Sequence, residues 1–440
     1  MNRKLLYFCL LLTATVLLSG CMATLDQMYC LPKRSEQVLN LQSVLDEAMD
    51  GLEYCAPLSG ENQQSVQTAD LDGDSTPEFL VFAKGTAEKP LKILIIGYEN
   101  GAYRHRATID GNGSAFDQVE YVQMDGVPGL EIVVGCQVSN QVMRSVSVYR
   151  FTGDDAQKLI SANYTKFLTV DLDYDHLSEV LILRPGQGDS DHGVAELYRM
   201  ENGAMSRLNE VTMSEPVANL KRILSGKLQG GEPAVYAACA VGENAIITDV
   251  FARVDGVFRN VSLSNESGTS VQTLRNYYVY ATDIDGDGVA ELPDLINMRP
   301  VTDAKSVDRQ YLIRWYAMNI DGSEVDKLFT FHNYVGGWYF QLNQEWVSRI
   351  TVKQNGNAFE FYIWDAEFKN TEKMLSIYAY TGENRENLAV SNGQFVLHRG
   401  ESVVYAGLLA ENAAQYGITE KNVIHGFHLI QIEWKTGETE

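Results

Sequence analysis

Hydrophobic residues follow three different patterns along the chain. Leu5–Leu18 is a continuous apolar run of 14 residues. Between Val38 and Leu52, apolar residues recur at three- and four-residue steps, which predicts an amphipathic helix. From about residue 61 onward, short apolar runs alternate with glycine- and asparagine-containing turns, which predicts many short β-strands.

The predicted helix and its lead-in occupy residues 35–60. Ser35 is suited to cap the helix, and Glu36 falls in its first turn, where an acid is favourable. We expect the apolar stripe to pack on one face of the following domain. The alternative is that this stripe binds a partner.

Segments with acids at alternate positions precede an apolar strand in three places. The segments are 70–78, 171–179 and 283–291, with acids at positions one, three, five and nine. A degenerate copy at 123–131 retains only Asp125 and Glu131, and a further copy near residue 227 has lost its acids. The first positions therefore fall at 70, 123, 171, 227 and 283. A repeat of about fifty residues accommodates four short strands, which favours a β-propeller.

The repeat predicts the number of blades. Apolar strands start near residues 78, 131, 179, 234, 292, 349 and 402. These starts predict an all-β domain over 61–440, a propeller of seven four-stranded blades, with six or eight as alternatives. Closure of the ring would pair a strand at 425–434 with residues near 64–69.

The acidic spacing and the strand that follows it resemble the FG-GAP/VCBS-type repeats, over about residues 65–300. The resemblance implies calcium-loop blades like those of the integrin α-subunit propeller. It specifies fold and calcium, but not function.

Acids at alternate positions of a tight loop point towards one centre, and calcium takes six to eight oxygen ligands. The loops therefore predict up to three structural calcium ions, each held by four carboxylates and the carbonyl oxygen of position seven. The predicted ligands are Asp70, Asp72, Asp74, Thr76 and Glu78; Asp171, Asp173, Asp175, Leu177 and Glu179; and Asp283, Asp285, Asp287, Val289 and Glu291. The alternative is a metal-free acidic turn. The degenerate loop 123–131 is expected to be empty.

An EF-hand is excluded by the residue at position 12. That position requires a glutamate, and it is occupied by Val81, Ile182 and Asp294.

The N-terminus resembles a bacterial lipoprotein signal peptide. The apolar run ends in Leu18-Ser19-Gly20-Cys21, which predicts cleavage after residue 20 and lipid on Cys21. Residues 21–34 would then be a lipidated tether, and the protein would lie at the extracytoplasmic face of the membrane. The alternatives are an ordinary secretory signal and an uncleaved anchor. Whether Cys30 pairs with Cys55 stays open.

Composition narrows the classes of partner and activity. The chain has 440 residues, with 35 Lys and Arg against 58 Asp and Glu, a net charge of −23. This balance argues against a nucleic-acid partner, which requires a dense cationic face. No catalytic motif occurs in a fitting context, so no catalytic residue is assigned.

Trp338, Tyr339 and Trp346 form an aromatic, glycine-containing stretch that is the candidate ligand-binding surface. The alternative is that these rings belong to the core between blades. The sequence favours a non-catalytic module that binds an envelope or extracellular polymer or protein. A surface glycan hydrolase or lyase acting through the central face is the alternative, and a purely structural envelope component is a third.

Overall fold

The computed structural model describes residues 35–138, 143–187, 191–300 and 310–431. The predicted signal peptide, the tether and the lipidation residue Cys21 lie outside the described residues. So does Cys30, and its pairing with Cys55 stays a prediction.

The first four sheets follow one another along the chain, and neighbouring strands are antiparallel. Sheet one has five strands: β1 (Glu53–Tyr54), β2 (Val66–Ala69), β3 (Glu78–Lys84), β4 (Leu91–Glu99) and β5 (Ala102–Gly111). Sheet two has β6 (Ala115–Val122), β7 (Glu131–Gln137), β8 (Arg144–Phe151) and β9 (Ala156–Tyr164). Sheet three has β10 (Lys166–Val170), β11 (Glu179–Pro185), β12 (Gly193–Glu201) and β13 (Ala204–Thr212). Sheet four has β14 (Leu220–Lys227), β15 (Pro233–Val241), β16 (Ala245–Val254) and β17 (Val257–Asn260).

Two further sheets complete the described part of the chain. Sheet five has β18 (Glu291–Asn297), β19 (Tyr311–Met318), β20 (Glu324–Asn333) and β21 (Trp338–Leu342). Sheet six has β22 (Ile350–Asn355), β23 (Ala358–Trp364), β24 (Thr371–Thr381), β25 (Phe395–Arg399) and β26 (Val403–Leu409). A last strand, β27 (Phe427–Leu429), returns to pair with β21.

Helices are few in the described residues. They are α1 (Glu36–Ala48), α2 (Arg385–Leu388) and α3 (Glu420–Gly426), with single 3-10 turns at Val217–Asn219, Val271–Thr273, Gln344–Trp346 and Ala413–Tyr416. None of the described helices is long and apolar enough to cross a bilayer. The prediction of an all-β, propeller-like fold with a short N-terminal helix is confirmed.

Strands β3, β7, β11 and β15 have apolar residues at successive interior positions because both of their faces are covered. In β7, Ile132 and Val134 face sheet one, whereas the side chain between them, Val133, packs against sheet three. Successive side chains of a strand point to opposite faces, so a continuous apolar run is what two-sided burial requires. Apolar clusters of this kind join each sheet to the next, from one to six.

Helix α1 covers the face of sheet one that points away from sheet two. Its residues Leu41, Val44 and Leu45 contact Val81 and Ile96. As predicted, the Ser35 hydroxyl caps the helix, accepting a hydrogen bond from the Val38 amide at 3.3 Å. Within the described residues, no apolar cluster joins sheet six to sheet one.

The preferred count of seven blades is wrong, and six, its alternative, is what the described residues contain. Strand β26, which was counted as the start of a seventh blade, lies inside sheet six between β24 and β25. The expected closure is also wrong for the described residues, because β27 pairs with sheet five and not with residues 64–69. Strand β1 pairs with β3, so the sheets begin within the segment assigned to the helix and its lead-in.

The aromatic stretch expected to bind a ligand lies in the core. Trp338 is 1% exposed, Tyr339 7% and Trp346 8%. Trp338 and Trp346 belong to the cluster between sheets five and six. The sequence pattern did not distinguish this burial from a binding surface, because β21 is covered on one side by sheet six and is paired along its outer edge by β27.

We expect Trp338→Ala to destabilise the protein by about 3–5 kcal/mol, because a fully buried indole is removed without a replacement. Val335→Ala is the matched control, because Val335 is fully exposed three residues away. Chemical denaturation of both variants measures the difference. Equal stability of the two would contradict the burial of Trp338.

Candidate functional site: acidic loops and a polar cleft

Four loops share one hydrogen-bonding pattern, and each leads into an early strand of its sheet. We name them loop A (70–78), loop B (123–131), loop C (171–179) and loop D (283–291). In each, the glutamate at position nine starts the strand, and its Oε2 accepts a hydrogen bond from the amide of position two. The donor–acceptor pairs are Leu71–Glu78 at 2.9 Å, Met124–Glu131 at 3.0 Å, Leu172–Glu179 at 2.9 Å and Ile284–Glu291 at 3.1 Å.

The acid at position one folds the loop around itself. The carboxylate of Asp283 accepts hydrogen bonds from the amides of Gly286 at 2.7 Å and Gly288 at 2.9 Å. Both glycines have positive φ, 79° and 85°, a region that residues with a Cβ rarely adopt. Loop C makes the same turn with Tyr174 and His176, at φ 60° and 67°, so its backbone is strained where that of loop D is not.

The carboxylates of positions one, three and nine converge in loops A, C and D. In each of these loops, ligand oxygens of the three side chains lie within 4.8 Å of one another. The groups are Asp70, Asp72 and Glu78; Asp171, Asp173 and Glu179; and Asp283, Asp285 and Glu291. Three oxygen donors around one point suit a hard cation, and the structure thus contains three clusters that could hold a metal ion.

The acids of position five are not part of these groups. They are Asp74, Asp175 and Asp287, and each accepts a hydrogen bond from the amide of position seven, at 2.6, 2.9 and 2.8 Å respectively. In this arrangement they hold the turn. Like the carbonyl groups of Thr76, Leu177 and Val289, they stay predicted ligands.

Loop D carries an independent sign that a cation fits. Glu291 is wholly buried, and its Oε1 has no hydrogen-bond partner. A buried carboxylate oxygen without a partner is costly unless a cation or a proton compensates it. The donor set and this unpartnered oxygen therefore fit a metal ion.

Burial sets the proton affinity of the position-nine glutamates. It raises the pKa of Glu78, Glu179 and Glu291 to about 7 each, from an ordinary 4.5, while the position-two amide lowers it and the neighbouring aspartates raise it further. In the absence of a cation, these groups hold a proton well above the range of an exposed glutamate.

A polar cleft of about 650 Å³ lies between sheets two and three. Its lining includes Glu196, which is buried and accepts hydrogen bonds from Arg184 and Arg207, both at 2.6 Å, and from the Tyr198 hydroxyl at 3.1 Å. Burial opposes the charge of Glu196, but the two arginines outweigh it and hold the pKa of this carboxyl below its ordinary value. Glu196 is therefore a permanent carboxylate in the cleft.

A second acid–tyrosine pair lies beside this cleft, and its tyrosine, Tyr164, is part of the lining. The Tyr164 hydroxyl donates a hydrogen bond to Asp117 at 2.5 Å, and Arg144 lies 3.4 Å from Asp117. Burial raises the pKa of Tyr164, and the hydrogen bond to Asp117 raises it further, so the phenol stays protonated. The sequence analysis missed this cleft, because its side chains come from several strands of two sheets and form no local motif.

The chain matches no known protein-family model and no curated protein. Among solved structures it is similar to the Bacillus licheniformis rhamnogalacturonan lyase, with 12% identity, a TM-score of 0.31, and coverage of 73% of this chain and 72% of that one. A protein from Lactobacillus plantarum gives 10% identity, a TM-score of 0.28, and coverage of 72% and 86%. The exotype rhamnogalacturonan lyase YesX gives 11% identity, a TM-score of 0.28, and coverage of 81% and 75%. Likenesses this distant carry no argument about activity.

The raised pKa values predict how stability depends on pH. Without a bound cation, folded Glu78 and Glu291 stay protonated up to pH about 7, whereas the same groups in the unfolded chain lose their protons near 4.5. The free energy of unfolding therefore falls as the pH rises from about 4.5 to about 7, and these groups change it no further above that interval.

Chemical denaturation in chelator across this pH interval measures the effect. Glu291→Gln should flatten part of the slope, since it removes one of the titrating groups. The assignment fails if the variant keeps the full pH dependence of the wild type.

Proposed function

We propose that this protein is a calcium-stabilised binding module, lipid-anchored through Cys21 at the extracytoplasmic face of a bacterial membrane. The observation that carries the proposal is the convergence of three carboxylates in loops A, C and D. Because all these donors are oxygens, they favour calcium over zinc or copper, which prefer nitrogen and sulfur.

The anchor is supported by the sequence. The apolar run Leu5–Leu18 is short for a membrane span of about 20 residues, and it ends at Ser19-Gly20-Cys21. Lipid on Cys21 would hold the acidic body outside the membrane by residues 21–34, which lead into α1.

The cleft between sheets two and three is the place where we propose that a ligand binds. Its guanidinium groups, carboxylate and phenols offer both donors and acceptors, in the mixed pattern that hydroxyl-rich polymers and polar protein surfaces engage. We therefore propose an envelope or extracellular polymer or protein as the ligand, and no nucleic acid.

The same cleft favours a second candidate function, a surface glycan hydrolase or lyase. Glu196 is a permanent carboxylate, and Tyr164 is a protonated phenol beside Asp117. A carboxylate and a phenol are groups that acid–base cleavage of a glycan can use, but the lowered pKa makes Glu196 a weak base and the raised pKa makes Tyr164 a weak acid. This candidate therefore requires both pKa values to move towards neutrality when a glycan binds.

Calcium should raise the melting temperature of the purified protein relative to chelator. An ion present at a hundredfold excess over its dissociation constant adds about 2.7 kcal/mol to the free energy of unfolding. Asp285→Ala should reduce the rise. Glu266→Ala, which removes an exposed acid outside the loops, is the matched control for the change in net charge. An identical melting curve with and without calcium would refute the calcium part of the proposal.

Arg207→Ala should weaken ligand binding at the cleft at least about tenfold, or roughly 1.4 kcal/mol, because it removes a charged donor. The control is Arg259→Ala, an exposed arginine on β17. The measurement is titration calorimetry against neutral and uronate-containing polysaccharides. Equal losses in the two variants would remove the cleft from the proposal. New reducing or unsaturated ends in the same mixtures would favour the enzyme.

A further inference from the structure

The residue that lies opposite the position-nine glutamate, on the neighbouring strand, differs among the four loops. In loop D, Glu291 pairs across the sheet with Ala317. The pairs Ile132–Tyr149 and Val180–Tyr198 place the next residues, Arg150 and Arg199, opposite the glutamates of loops B and C. The pair Phe79–Ile96 places Gly97 at the same position in loop A. The glutamate therefore faces an arginine in loops B and C. In loops A and D it faces a glycine and an alanine, whose side chains are too short to contact it.

In loop B, Arg150 takes the place that a cation would occupy. Its Nε lies 3.1 Å from Oε1 of Glu131, and its Nη2 contacts Asp125. Position one of the loop is Gln123, whose Oε1 accepts the Gly126 amide at 2.9 Å and so keeps the turn, and position five is Val127. Loop B thus keeps the hydrogen bonds of the turn with a guanidinium group, and not an ion, beside its acids.

In loop C, two arginines contact the acids of the candidate metal group. Arg199 lies 3.0 Å from Asp173 and 2.8 Å from Asp175. Arg253, which belongs to β16 of sheet four, contacts Asp173 and lies 3.1 Å from Oε1 of Glu179. Arg253 thus uses the same Oε1 that is left unpartnered in Glu291 of loop D.

Loops A and D lack this neutralisation. Among the described residues, no lysine or arginine forms an ion pair with an acid of loop A, and the nearby Arg106 pairs with Asp154 instead. In loop D, Lys327 contacts Asp287 at 2.5 Å, but Asp287 is outside the converging group. In the described part of the chain, the three converging carboxylates of each of these loops therefore make no ion pair with a lysine or arginine, and their mutual repulsion is offset only in part, by Lys327 near loop D.

We propose that the protein binds two calcium ions, at loops A and D, and that Arg253 with Arg199 replaces the ion at loop C as Arg150 does at loop B. This inference rests on the proposed calcium binding. Under this inference, Arg253 links sheets three and four through ion pairs that do not depend on calcium.

Native mass spectrometry and calcium titration of the purified protein count the ions. We expect two in the wild type, one in Asp70→Ala, one in Asp283→Ala, and still two in Asp171→Ala. The double variant Arg199→Ala/Arg253→Ala should bind a third ion. Three ions in the wild type, with one lost in Asp171→Ala, would overturn the inference while calcium binding stands. No bound ion would overturn both.

Hydrogen exchange tests the same inference without any variant. The amides of Leu71 and Ile284, which donate to position nine in loops A and D, should exchange several-fold more slowly with calcium than in chelator. The amides of Met124 and Leu172 should not respond, because arginines already hold their loops. A calcium response of Leu172 as large as that of Leu71 would contradict the replacement.

Discussion

A carboxylate buried at the start of a strand must have its charge compensated, and this constraint shapes the four loops. The glutamate of position nine fixes each loop by accepting the amide of position two, so it cannot be moved to the surface without unfolding the turn. Burial makes its negative charge expensive. Three compensations are available to it: a proton, a guanidinium or a metal ion. The loops share a backbone and differ in which of these their neighbours permit.

Packing between the sheets explains why these loops recur. Strands β3, β7 and β11, which follow loops A, B and C, are buried on both faces, so the first residue of each enters the interior together with the apolar residues behind it. A loop that did not satisfy the glutamate would expose the edge of an interface between two sheets. The acidic pattern of the loop and the apolar pattern of the strand therefore depend on each other.

The sequence predicted those features that depend on local spacing. The N-cap of α1, the apolar strands that start near residues 78, 131 and 179, and the convergence of Asp70, Asp72 and Glu78 all follow from residues close together in the chain. The sequence-based predictions were wrong where a feature depends on residues far away in the chain. Strand β26 has the same apolar pattern whether it starts a sheet or enters an existing one, and only its pairing with β24 and β25 decides.

The same limit applied to single side chains. Trp338 is aromatic and near glycines whether it is exposed or buried, and its burial depends on sheet six and on β27. Arg253 lies 74 residues from Glu179, and no spacing rule joins them. The polar cleft is also formed by several strands of two sheets, so no motif in the sequence indicated it.

The packing of α1 on sheet one bears on the stability of this end of the protein. Apolar clusters couple each sheet to its neighbours, and in the described residues none couples the last sheet to the first. Where each unit is coupled only to its neighbours, a terminal unit has one interface fewer than the others. Helix α1 gives sheet one a second interface, as a capping element does at the end of a repeat array.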